Sequence, residues 1–194
     1  MRNEIIKEQL NQEISELLIN TRENVNKAYD SNKDKYIFDF LQVMDDLLLK
    51  SVELQQEDKL KKLKYIWINC LKVSVETERY RYVIKAYDEN IYLNNYEANV
   101  EYVPEYYLNY IEEDKEIIEK TVMRKIIRAK QYEVKDIQKW YIWENYIQEI
   151  PREMEEAVER IKELSGYKKI DKDTEVIICY GELFEYSKNE YCIK

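Results

Sequence analysis

The sequence predicts a mostly α fold, an antiparallel bundle of long amphipathic helices closed by a small C-terminal β-hairpin. Three observations point there. Apolar residues recur every three or four positions through most of 3–87 and 113–166, the spacing of a single helix face. Glycine occurs only at Gly166 and Gly181, and proline only at Pro104 and Pro151, so the usual interruptions of helix are scarce. Hydrophobic residues make up 45% of 194, enough for a core, and that length suits one domain spanning 1–194.

The helices are read in chain order. From Asn3 to Tyr29, the residues Ile6, Leu10, Ile14, Leu17, Leu18, Val25 and Ala28 mark one face. Asp30-Ser31-Asn32-Lys33-Asp34 is a polar break, with Asp34 placed to cap the second helix. A broader stripe of Ile37, Phe40, Leu41, Met44, Leu47, Leu48 and Val52 marks that helix, central in the core, over 35–55. Leu60, Leu63, Trp67, Cys70, Leu71, Ser74 and Val75 carry the spacing through 57–87 without Gly or Pro, so the third element reads as one long helix. Residues 1–87 are thus three long helices with short links.

Residues 88–112 break the pattern. Asp88-Glu89-Asn90 and Asn94-Asn95 are turn-like, Val100, Tyr102 and Val103 suit extended chain before Pro104, and Pro104 opens a short helix. Two or three helices occupy 113–166. Ile117, Ile118, Val122, Ile126 and Ala129 mark the first, and Val134, Ile137, Trp140, Tyr141 and Ile147 the next, which ends at Pro151. Met154, Ala157, Val158, Ile161 and Leu164 precede Gly166, a natural residue just past a helix C-terminus. Over 174–194, the β-prone run Val176–Tyr180 and the segment Tyr191–Ile193 flank a turn at Ser187-Lys188-Asn189 and form the hairpin. A lone hairpin is unstable, so it packs on the helices or pairs with the Val100 segment.

Composition removes classes of function. With no histidine, there is no Ser-His-Asp or Cys-His nucleophile system and no His-ligated metal. An average chain of this length carries about 14 glycines, and the two here cannot build a phosphate-cradling loop. Acids outnumber bases, 40 to 31, for a net charge of -9, which disfavours nucleic acid. Cys70, Cys179 and Cys192 lack metal-ligand spacing and read as reduced thiols; a Cys179–Cys192 bridge across the hairpin would be out of place in a reducing compartment. No signal-like or 18-residue apolar run occurs, so the expected location is cytoplasmic, without a membrane segment. The 19 tyrosines accompany abundant Lys, Asn and Ile, as the codon bias of an AT-rich genome would produce.

By elimination the expected function is non-catalytic: a helical protein that binds another macromolecule, of the immunity, adaptor or regulator type, with no cofactor. Its partner is expected to be a protein, and the wide apolar stripes allow a homodimer. Candidate binding residues are the basic row Lys120, Arg124 and Arg128 and the aromatic group Trp140, Trp143 and Tyr146. Lys59, Lys61, Lys62 and Lys64 read as an exposed face, and Glu78, on an apolar line, as a buried acid.

The alternative is enzymatic. Glu113-x-x-Glu116 and Glu133-x-x-Asp136 each place two carboxylates on one helix face, and two such faces opposed would offer Mg²⁺ an oxygen site. The pattern resembles the ExxE…ExxD signature of all-α nucleoside triphosphate pyrophosphohydrolases of the MazG and dUTPase-like type. That resemblance implies Mg²⁺ held by the four acids beside the phosphates, with Lys120, Arg124 and Arg128 assisting.

Overall fold

A computed structural model describes residues 2–91, 98–182 and 189–193. The first two helices lie where the apolar spacing places them: α1 is Arg2–Ser31 and α2 is Lys33–Gln56. The next segment overturns the bundle. Residues 57–87 hold no long helix but β1 (Leu63–Cys70), a single-turn α3 (Lys72–Glu76) and β2 (Tyr82–Tyr87). After them come β3 (Ala98–Tyr102), α4 (Glu105–Lys125), α5 (Gln131–Ile142), a π-helical turn (Trp143–Ile147) and α6 (Arg152–Ala157). A 3₁₀ turn (Val158–Glu163), α7 (Ser165–Lys169), β4 (Lys172–Gly181) and β5 (Asn189–Ile193) complete the order.

The five strands form one mixed sheet in the order β3-β2-β1-β4-β5. The C-terminal hairpin is therefore not an appendage. β4 pairs antiparallel with β5 and also runs parallel to β1, Ile66 opposite Ile178 and Ile68 opposite Tyr180. It does not pair with the Val100 strand, which lies at the far edge against β2. β1 is the central strand, paired on both sides, and all but Lys64 and Tyr65 of its residues are buried. A strand covered on both faces is apolar at nearly every position, so its pattern matched the helix template as readily as the strand template.

Pro104 precedes a helix, as its place in the sequence suggests, but α4 is long rather than short. The expected turns at Asn94-Asn95 and Ser187-Lys188 lie outside the described residues. Gly166 sits inside α7, not beyond a helix end. A Cβ there would lie 2.6 Å from the Leu48 Cβ of α2, so glycine is required for close approach of α7 to α2. The Asp45 carboxylate of α2 seals the contact, accepting hydrogen bonds from Gly166 N (2.6 Å) and Ser165 Oγ (2.9 Å).

One sheet face, with Ile66, Ile68, Tyr82, Ile84, Val100, Ile178 and Tyr180, joins the helices in the main core. The opposite face carries a smaller cluster of Trp67, Tyr87 and Cys179. α1 packs on α4 and α5, while α2 crosses β2 and β3 and meets α6 and α7. The three cysteines are unbridged thiols, so no Cys179–Cys192 disulfide forms. No helix among the described residues is long and apolar enough to cross a membrane.

Candidate functional site

Three of the four acids of the ExxE…ExxD pattern have separate partners. Glu113 and Glu116 are exposed on α4, and Glu116 accepts from Lys120 at 3.3 Å. Glu133 is buried at the start of α5, where it accepts from the Lys130 backbone N–H (2.9 Å) and pairs with Arg2 Nε (2.5 Å). It neutralises the positive helix end, a structural task. Asp136 is exposed and accepts from Asn3 Nδ2 at 2.9 Å. No group of three or more Cys, Asp or Glu among the described residues could hold a metal ion.

The aromatic candidates divide. Trp143 and Tyr146 are buried, the first beneath Lys72 Nζ at 5.2 Å from its ring centroid. Trp140 is half-buried with Lys7 Nζ over its ring at 4.3 Å. Glu78 is exposed rather than buried, bonded to Lys115 Nζ at 2.8 Å, and that bond holds its carboxyl below the usual range.

Lys120, Arg124 and Arg128 remain exposed and lead into the link between α4 and α5. Ile127 within that link is 87% exposed, and Met123 and Tyr132 on either side are 53% and 56% exposed. Arg128 adopts φ 58°, a left-handed conformation that costs a non-glycine residue about 1–2 kcal/mol. Its carbonyl accepts from Arg2 Nη2 at 3.5 Å, tying the start of α1 to the link. A strained backbone thus projects an isoleucine between two arginines.

The second feature is a cavity of about 200 Å³ between α1, the start of α4 and the π turn. Its walls include Tyr29, Tyr106, Tyr107 and Tyr146, and Glu149 and Arg22 pair within its lining. Behind the tyrosines stand two buried carboxylates. Asp114 accepts from Thr21 Oγ1 (2.8 Å), Tyr141 Oη (2.9 Å) and Tyr146 Oη (2.8 Å). Glu153 accepts from Tyr102 Oη (2.7 Å) and Tyr106 Oη (2.5 Å). Burial raises both carboxyls above their ordinary range, while the tyrosine donors pull the other way.

The π turn supplies Asn145 and Tyr146 to this cavity. Widening the helix leaves carbonyls without helical partners, and two sheet tyrosines satisfy them. Tyr82 Oη donates to Tyr146 O (3.0 Å), and Tyr180 Oη donates to Ile147 O (3.0 Å) and Glu149 O (2.7 Å).

No family model, curated protein or solved structure matches this chain.

Chemically, both buried acids accept hydrogen bonds from hydroxyl groups, from Thr21 and two phenols at Asp114 and from two phenols at Glu153. Sequence spacing missed Asp114 and Glu153 because each lies among other acids, in Glu112-Glu113-Asp114 and in Glu153-Met154-Glu155-Glu156. The available signal was position: Ile111, Asp114 and Ile118 share one face of α4, as do Glu153 and Ala157 on α6.

Proposed function

We propose that the chain is a non-catalytic binding protein that docks an acidic protein surface on the corner between α4 and α5. The observation that carries this reading is charge against background. Residues 120–132 contain Lys120, Arg124, Lys125, Arg128 and Lys130 and no acid, within a chain of net charge -9. Lys120 and Lys125 are paired with Glu116 and Glu13, while Arg124, Arg128 and Lys130 flank the exposed Ile127.

At physiological salt, charges beyond roughly 8 Å are screened, so the corner acts through its own residues despite the acidic remainder. Ile127 and Met123 ringed by cations match the apolar centre and polar rim of a protein interface. A phosphate backbone offers such apolar tips nothing. Burying two of these side chains supplies about 2–3 kcal/mol each, short of stable membrane anchoring, for which even one acyl chain is marginal.

The test places a photo-crosslinking amino acid at position 127, and as a control at Ile19 on α1, in the cells that make the protein. Adducts that are protease-sensitive, specific to position 127 and lost with Arg124→Glu/Arg128→Glu support the reading. Equal labelling from position 19, or nuclease-sensitive adducts, refutes it.

A further inference from the structure

The tyrosine cavity is independent of the α4–α5 corner and has its own chemistry. Four rings succeed one another along it. Tyr29 and Tyr106 have centroids 5.6 Å apart, Tyr106 and Tyr107 4.5 Å apart, and Tyr107 and Tyr146 5.5 Å apart. The last two pairs are near-perpendicular, at 69° and 73°, so the walls are set at angles as in a box, not laid flat as in a stack.

Electrostatics give the box a sign. The two arginines in the lining are neutralised: Arg22 by Glu149, and Arg152 by Asp30 at 3.0 Å and Glu156 at 3.8 Å. Among the described residues, Asp114 and Glu153 have hydroxyl partners and no basic one. Each accepts a hydrogen bond from a cavity tyrosine, Tyr146 and Tyr106 respectively, and a phenol that donates to a carboxylate has a more electron-rich ring. The region therefore carries uncompensated negative charge behind π surfaces. The chain already uses it so: the Arg152 guanidinium sits 4.5 Å from the Tyr29 centroid, a cation–π contact.

We propose that this cavity binds a small organic cation, a methylated ammonium group seated among Tyr106, Tyr107 and Tyr146. Aromatic walls attract a quaternary ammonium through the ring quadrupole, and such a cation sheds its water readily because it has no N–H to hydrogen-bond. The volume fits. About 200 Å³ exceeds the roughly 150 Å³ that admits benzene and falls short of the roughly 300 Å³ where drug-sized ligands begin. A trimethylammonium head with a short tail fills that space. The lining reaches the surface at Arg22, Asn26 and Glu149, so the head arrives either on a free small molecule or on a methylated lysine.

The experiment is a calorimetric titration of the full chain with choline, with its neutral isostere 3,3-dimethylbutan-1-ol, with benzoate, and with a short trimethyllysine peptide. Choline is expected to bind saturably and roughly tenfold or more tighter than the isostere, the cation supplying the difference. Glu149→Gln, at an exposed position, is expected to weaken choline several-fold and leave the isostere unchanged. Tyr107→Leu removes a wall and is expected to abolish the preference for the cation. If that variant fails to fold, Tyr107→Phe, which keeps the ring, is expected to retain it. Tighter binding of the peptide than of choline assigns the group to a protein, and the reverse to a free metabolite; both support the site. Equal binding of choline and the isostere, preference for benzoate, or no heat with choline up to saturating concentrations overturns it. Arg124→Glu/Arg128→Glu is expected to leave choline binding intact, so failure of this site and failure of the α4–α5 corner are separately visible.

Discussion

At the scale of single residues, the scarcity of glycine is met by strain. Asp58, Glu78 and Arg128 hold φ values of 55°, 54° and 58°, where glycine would ordinarily sit. Asp58 comes after α2, Glu78 after α3, and Arg128 after α4, so each turns the chain out of a helix. Arg128 is the one beside an exposed apolar tip, Ile127. Arg128→Gly relieves the left-handed penalty, less the entropy that glycine adds to the unfolded chain. The expected net gain is about 0.5–1 kcal/mol, or roughly 2 °C in Tm for a domain of this size. Crosslinking from position 127 should fall in the same variant, because a cation of the rim is gone. Calorimetry and crosslink yield read the two effects separately. A variant that is less stable, or that crosslinks as well as the parent, removes the link between strain and binding.

At the scale of elements, the π turn is where sheet and helices are locked together. Tyr180 from β4 donates to the Ile147 and Glu149 carbonyls, and Tyr82 from β2 to the Tyr146 carbonyl and the same Glu149 carbonyl, three acceptors in all. Tyr180→Phe keeps the ring and leaves buried carbonyls short of a donor, which costs about 1–3 kcal/mol. Hydrogen exchange is expected to show lost protection across residues 143–149 before any change in β1; unchanged protection there would mean that the hydroxyl is not what holds the turn. The sequence made this element hard to see. Trp140, Tyr141 and Ile147 keep helical spacing across it, and nothing in Trp-Glu-Asn-Tyr-Ile announces an extra residue per turn. α1 and α2 were legible because one apolar face alternates with a wet one over six or more turns. β1 was not, since its Tyr65, Ile66, Trp67 and Ile68 have the β-branched and aromatic character of a strand but are apolar on both sides. The turns that would have bounded it, at Asp58 and Glu78, use non-glycine residues in glycine's conformation. Of the candidate site, the basic row was legible as charge. The tyrosine cavity was not, because it assembles residues from α1, α4, the π turn and α6 that are up to 134 positions apart, Leu18 to Arg152.

At the scale of the whole molecule, the tyrosines set how the fold responds to pH. Tyr82, Tyr102, Tyr106, Tyr146 and Tyr180 are buried, and desolvation first, then neighbouring carboxylates or phenols, push all five well above the ordinary value of 10.0. In the unfolded chain they ionise near 10. A group whose pKa is higher when folded contributes stability that is complete below the unfolded value and lost as pH rises past it. Each such phenol therefore withdraws up to about 1.4 kcal/mol per pH unit above 10. Together they approach about 7 kcal/mol per unit, against a total stability of about 5–15 kcal/mol for a domain. Asp114 and Glu153, raised by burial, act in the same direction at lower pH. Protonating them favours the fold, so neither drives acid unfolding, and Glu153→Gln should flatten the fall in stability as pH rises above the ordinary carboxyl range. The alkaline limit is the sharper test. Phenol ionisation is followed by ultraviolet absorbance, and exposed Tyr132 and its like should titrate smoothly near pH 10. The buried set should then ionise in one cooperative step between about pH 11 and 12, together with loss of circular dichroism. A single smooth titration of every tyrosine with the helical signal intact would mean that these phenols are not sealed behind the sheet and the two carboxylates. The box that Tyr106, Tyr107 and Tyr146 form would then have no fixed walls to offer a cation.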